Sequence, residues 1–170
     1  MISKFKEKSI QKVYNKLIDK NVYKSSNNQK ITSIAILLDN ETLINVIKAN
    51  LVNKLPFKKE QITVFTYKQS VKKEEKSNSV FSDGDFGFKA SLKSDNLKDF
   101  VKKDFDLLIN YTKSSNLYTN MVTLLSQSKL KAGFTEIDNR LFDIVVSDNT
   151  FNEAVLNQEL KKYLTILNKI

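Results

Sequence analysis

The sequence predicts an α/β fold of three layers, a mostly parallel sheet of about five to six strands covered by helices on both faces. Two observations carry that reading. "ITSIAILLD" (Ile31 to Asp39) and "FDLLINY" (Phe105 to Tyr111) are nearly continuous in apolar residues, as strands buried on both faces must be. Between and after them, strand-like runs alternate with stretches whose apolar residues recur at three- and four-residue steps.

The chain opens with a helix. In "SKFKEKSIQKVYNKLIDKN", Ile10, Val13, Tyr14, Leu17 and Ile18 form one stripe, while Lys6, Lys8, Lys12, Lys16 and Lys20 fall mostly elsewhere. Such a basic amphipathic helix can lie on an anionic membrane, but its stripe suits packing on its own domain, which is the expectation for residues 1–23. The polar run Lys24 to Lys30 reads as a linker. After the first strand, Asp39 or Asn40 can cap a helix with the stripe Leu43, Ile44, Ile47 and Leu51, which must end before Pro56. "QITVFTY" (Gln61 to Tyr67) completes a strand, helix, strand unit, whose crossover is right-handed.

Residues 68–79, "KQSVKKEEKSNS", are charged and read as a flexible loop. "FGFKASL" alternates Phe86, Phe88, Ala90 and Leu92 with Gly87, Lys89, Ser91 and Lys93, predicting a half-exposed edge strand. Leu97, Phe100 and Val101 mark a short helix before the strand at Phe105 to Tyr111. Ser115 or Asn116 can cap the next helix, with the stripe Leu117, Tyr118, Met121, Val122 and Leu125. "KLKAGF" and "FDIVVSD" are two further strands, and Leu156, Leu160, Tyr163, Leu164 and Leu167 mark a closing helix. The sum is a single Rossmann-like domain spanning residues 1–170, with the amino-terminal helix added to it.

Composition removes many chemistries. The 170 residues contain no Cys and no His, which excludes disulfides, thiolate or imidazole zinc sites, Cys nucleophiles and His bases. With only three glycines, neither a phosphate-cradling Walker loop nor a dinucleotide turn can be built. No apolar run reaches the ~18 residues that a spanning helix requires. Met1 to Asn21 also lacks the apolar core of a secretory signal, so a cytoplasmic location is the expectation.

The formal charge of +9 raises a nucleic-acid or ribosome-associated role. All but one of the 28 basic residues are Lys, however, the exception being Arg140. Arg is the side chain whose planar fork suits bases and phosphates. The composition therefore predicts only weak, salt-sensitive polyanion binding. Asp83 and Asp85 flank Gly84 as a D-x-D pair, but without a third spaced ligand the pattern reads as a turn and no metal is expected. The triplets "DFG" and "FGF" at Asp85 to Phe88 lack the companions that kinase or RNA-recognition motifs require. Asp138 and Arg140 suit an ion pair better than an anion clamp.

On "FDLLINY", "MVTLLSQSKLKAGF" and "RLFDIVV" followed by a carboxy-terminal helix, the chain resembles a family of small uncharacterised bacterial α/β proteins over most of its length. That resemblance implies the fold and brings no catalytic residue. More distantly, the strand, helix and Lys131-Ala132-Gly133-Phe134 strand are similar to the amino-terminal half of heptosyltransferase-type GT-B glycosyltransferases. The chain ends where their nucleotide-sugar-binding domain would begin, so the likeness implies at most an acceptor-side scaffold.

These readings converge on a non-catalytic protein-binding or scaffold module, with another protein as partner and no cofactor. The alternative is a small-molecule or sugar/nucleotide domain using the crevice at the strand carboxyl ends, where open parallel sheets bind ligands. If the strand order is 3-2-1-4-5, the crevice is lined by Asp39 and Asn40, by Asn110, Thr112, Ser114, Ser115 and Asn116, and by Thr135 and Glu136. Capping and loop solvation explain the same residues without a ligand. A catalytic version would need Asp39 or Glu136 as its base.

Overall fold

Six strands form one all-parallel sheet in the order β3-β2-β1-β4-β5-β6, where β1 is Ile34–Leu38, β2 Ile62–Tyr67, β3 Val80–Phe81, β4 Leu107–Asn110, β5 Leu130–Phe134 and β6 Ile144–Val146. This computed structural model describes residues 1–21, 29–71 and 77–170. Most of the linker and the centre of the charged loop read from the sequence, residues 22–28 and 72–76, lie outside the described residues. Strand order reverses between β1 and β4, which pair in register from Ile34 with Leu107 to Leu37 with Asn110. The two most apolar segments are thus adjacent central strands.

The strand period of two divides each strand between two cores. Ala35, Leu37, Phe65, Tyr67 and Leu108 face helices α1 (Ile2–Ile18), α3 (Asp95–Lys102) and α4 (Leu117–Leu125). Ile34, Ile36, Leu38, Leu107 and Ile109 face α2 (Ile44–Lys54) and α5 (Glu153–Ile166). The first core is strongly aromatic: Phe65 stacks on Phe81 at 4.8 Å and on Phe100 at 4.2 Å between ring centroids. In the second, the buried Tyr111 hydroxyl donates to Asn157, whose amide donates to Asn50 at 2.9 Å, joining β4 to α5 and α2.

Helix α1 buries Ile10, Tyr14 and Ile18 against the first core, with Val13 and Leu17 half-buried beside them. Its fixing point is polar. The Tyr14 hydroxyl donates to Asp138 Oδ2 at 2.8 Å, and Arg140 grips both oxygens of the same carboxylate at 2.9 and 2.8 Å while reaching Asp19 at 2.9 Å. Arg140 and Asp138 are therefore an ion pair that docks α1, and the guanidinium is spent on it.

The predicted strand over residues 86–92 does not form. The chain instead makes 3-10 turns at Asp83–Asp85 and Phe88–Ala90, and Lys89 and Ala90 adopt left-handed φ values of 54° and 58°. Only a single antiparallel bridge, Phe86 to Leu92, remains of the strand. Phe86 and Ala90 point inward while Phe88 is half exposed, because this segment packs on α1, where the Lys89 amide donates to Ser9 at 3.0 Å. The edge strand is the shorter Val80–Phe81, in register with Thr66 and Tyr67. Asp85 accepts from the Ser82 amide at 2.8 Å, as a turn carboxylate does.

The densest polar network sits at the amino end of the sheet. Asp106, just ahead of β4, accepts from the amides of Thr32 and Ser33 at 2.8 and 3.0 Å, from both their hydroxyls, and from the Lys129 ammonium at 2.8 Å. One carboxylate thereby ties together the beginnings of β1, β4 and β5. Asp143, ahead of β6, repeats the device by accepting from the Lys131 amide at 2.8 Å.

Burial alone would raise the Asp106 pKa, but the Lys129 ammonium and the Thr32 and Ser33 donors overcome it and hold the carboxyl well below the usual carboxylate range. A depressed folded-state pKa adds stability above the unfolded value of about 3.9, and that contribution is lost as pH falls through the folded value. Asp106→Asn should therefore cost about 2 kcal/mol at neutral pH. Urea titrations should also show the gap between variant and parent narrowing as the pH drops below that range. A second test concerns packing: a Cβ on Gly133 would collide with the Phe142 ring. Gly133→Ala should lower stability by about 1–3 kcal/mol in the same assay.

Candidate functional site

The switch point between β1 and β4 brings the predicted crevice residues to one end of the sheet, with Asp39 and Asn40 after β1, Asn110 to Asn116 between β4 and α4, and Thr135 and Glu136 after β5. What they do there is mostly internal. Asn110 is fully buried, donates to the Thr123 hydroxyl at 3.1 Å, and accepts from the Thr112 amide and hydroxyl at 2.9 and 2.6 Å. It fixes the turn leaving β4. Asn116 caps α4 by accepting from the amides of Tyr118 and Thr119 at 2.9 and 3.2 Å.

Asn40 accepts from the Thr42 amide at 3.1 Å and closes a 3-10 turn, Glu41–Leu43, inserted ahead of α2. Ser115 accepts from the Asn120 amide at 2.9 Å, and the Thr135 hydroxyl donates to Glu136 at 3.0 Å. Ser114 and Asp39 are exposed. One acceptor in α4 is hidden: Oδ1 of the buried Asn120 meets no donor among the described residues.

Electrostatics at this end disfavour anions. Asp39, Glu41, Glu136, Asp148 and Glu153 all follow strand ends or open helices here. Lys68 is paired with Glu41 at 2.8 Å, and Lys113 with Glu153 at 2.9 Å. Although Asp39 is solvent-exposed as a residue, the groups crowded around its carboxyl partly desolvate it and raise its pKa, opposed by its own backbone hydrogen bond and by Lys113. That carboxyl has no partnered nucleophile or acid to make a catalytic pair. Among the described residues no group of three or more Asp, Glu, His or Cys converges as a metal site would require.

Two cavities among the described residues lie elsewhere. One of about 300 Å³ opens between the end of α1 and the beginnings of β5 and β6, lined by Asp19, Lys129, Lys131, Arg140 and Asp143. Its cations are engaged: Lys129 by Asp106, Arg140 by Asp138 and Asp19, and Lys131 by the Leu124 carbonyl at 3.2 Å. A larger one, about 490 Å³, runs along the outer edge of β2 beside α3, floored by Phe65, Phe100 and Phe105. Nothing in the sequence signals that groove, because its walls come from three segments far apart in the chain that only the fold brings together.

No helix among the described residues is long and apolar enough to cross a membrane. No curated protein and no solved structure shows significant similarity to the chain. A family model does match, over residues 6–167, so nearly the whole of this all-parallel α/β chain belongs to DUF6913, a family of unknown function.

Proposed function

We propose that the protein is a non-catalytic scaffold that acts by binding another protein. The observation that supports this reading is the saturation of the strand-end crevice. Asn40, Asn110, Thr112, Ser115 and Asn116 are all bonded within the chain, and the carboxylates around them repel the phosphates that this topology otherwise holds. With neither His nor Cys, the crevice also lacks a group poised for acid-base or nucleophilic work near neutral pH. A cytoplasmic scaffold of this kind needs no cofactor.

One observation favours the alternative, a small-molecule site in the crevice. The unpaired Oδ1 of Asn120 would accept a hydrogen bond from a ligand N–H or O–H, with Ser114, Asp39 and Glu136 within the same end of the sheet. Thermal unfolding against nucleoside phosphates, dinucleotides and nucleotide sugars separates the two readings. A ligand present at 100 times its Kd would add about 2.7 kcal/mol, a shift of about 5–11 °C for a domain of this size. The scaffold reading expects no shift from any of them. A shift that disappears in Asp39→Ala or Ser114→Ala would move the function to the crevice.

A further inference from the structure

Along α1 every fourth residue lies above the last, so the helix divides into rows. The row Lys6, Ile10, Tyr14 and Ile18 faces the domain, with the last three buried and the Lys6 ammonium donating to the Asp83 carbonyl at 2.9 Å. The row Ser9, Val13 and Leu17 is half-buried beside it. Each row has one earlier member that overhangs the domain: Ile2, 77% exposed, and Phe5, 60% exposed. Ser9 accepts from the Lys89 amide at 3.0 Å, so the turn Phe88–Ala90 runs along the Phe5 row and brings Phe88, 52% exposed, to the same flank.

The next row outward is Lys4, Lys8, Lys12, Lys16 and Lys20, all exposed. Like charges four residues apart weaken a helix, so this row works against α1 as a folded element. None of these lysines, nor the exposed Lys89 and Lys93, forms an ion pair among the described residues. The nearby acids are placed elsewhere. Glu7 lies across the lysine row from Phe5 and, with Asp83, toward the phenols of Tyr67 and Tyr118. Asp19 is held by Arg140, and Asp85 is buried against the Ser82 amide. Exposed apolar side chains and unpaired cations thus share one flank.

We propose that this flank of α1 docks the protein on an anionic membrane surface. The outer lysines and Lys89 lie against the headgroups, while Ile2, Phe5 and Phe88 enter the boundary between headgroups and acyl chains. An ordinary amphipathic helix puts its whole apolar stripe into the lipid. Here the domain uses that stripe, so insertion is shallow and the lysine row supplies the rest. Nucleic acid would attract the same lysines but leave Ile2 and Phe5 in water, and lysine lacks the planar fork that grips phosphate. A protein partner fits less well, because lysine is depleted from the cores of such interfaces.

The inference goes beyond the scaffold reading, since it says where the protein acts, and its failure would leave that reading in place. Its test is sedimentation of the full chain with vesicles of mixed phosphatidylglycerol and phosphatidylcholine, against vesicles of phosphatidylcholine alone. Binding is expected to the anionic vesicles only, and should weaken as salt is added. Each lysine near such a surface contributes about fivefold, so Lys8→Gln combined with Lys12→Gln should lower the affinity about 25-fold. Phe5→Gln combined with Phe88→Ser should lower it about tenfold by removing the inserted rings. All four positions are exposed, so circular dichroism should show both variants folded. The chain has no Trp, so Phe5→Trp reports insertion directly, its emission moving to shorter wavelength on anionic vesicles and staying fixed on neutral ones. Absence of binding to the anionic vesicles, or binding indifferent to either pair of substitutions, would overturn the proposal. Equal or tighter binding to a single-stranded oligonucleotide, weakened by the lysine pair alone, would assign the flank to nucleic acid and overturn it equally.

Discussion

The Asp106 carboxylate is the constraint on which the sheet's geometry depends. Parallel strands have no hairpin to set their register, so each pair must be aligned by contacts far apart in sequence. Thr32 and Ser33 lie more than 70 positions from Asp106, yet their four donors converge on one of its oxygens while Lys129 holds the other. A one-residue slip of β1 against β4 would strand these donors and turn Ile34, Ile36 and Leu38 to the wrong core. Asp143 applies the same logic to β5 and β6. The phenylalanine before each aspartate, Phe105 and Phe142, anchors the start of its strand in the apolar layer, so β4 and β6 each begin with a buried ring beside a registering carboxylate.

Polar fixing at the amino end leaves the other functional surfaces of the sheet with unequal freedom. At the carboxyl end the loops are tied to one another by Asn110, Asn116 and the Lys113–Glu153 pair. On the β6 side, α1 is locked by Tyr14, Asp138 and Arg140. At the β2 edge, among the described residues, β3 contributes only two residues and the next segment turns away to pack on α1.

Much of the fold was legible because burial on both faces leaves an unmistakable apolar run. Ile31 to Leu38 and Phe105 to Tyr111 could be read as central strands, and the stripes of α1 and α4 fell on buried positions such as Ile10 and Met121, while in the closing stripe Leu156, Leu160 and Leu164 are buried but Tyr163 and Leu167 are exposed. The segment at 86–92 misled for a physical reason. Alternating apolar and polar residues suit a strand, but Phe88 and Ala90 belong to a turn whose left-handed backbone at Lys89 and Ala90 leaves no sign in composition. At the crevice, the sequence located the residues at the strand ends but could not show that Asn110 and Thr112 satisfy each other. The roles of Asp106 and Asp143 were hidden too, since a carboxylate at the start of a strand looks like solvation until its donors arrive from elsewhere in the chain.

The use of backbone donors at the crevice follows from the β1–α2 connection. Phosphate-binding proteins of this topology bring a helix amino terminus straight off the first strand, with glycines letting the backbone approach the ligand. Here the connection contains no glycine and passes through the turn Glu41–Leu43. The Thr42 amide donates to the Asn40 side chain and the Leu43 amide to the Asn40 carbonyl at 3.2 Å, so donors that would face an anion are consumed. Glu41 then places a carboxylate in that first turn, where it gains from the local dipole and occupies the field a phosphate would use. The same short sequence that stabilises the start of α2 thus consumes amides that an anion at this strand end would otherwise use.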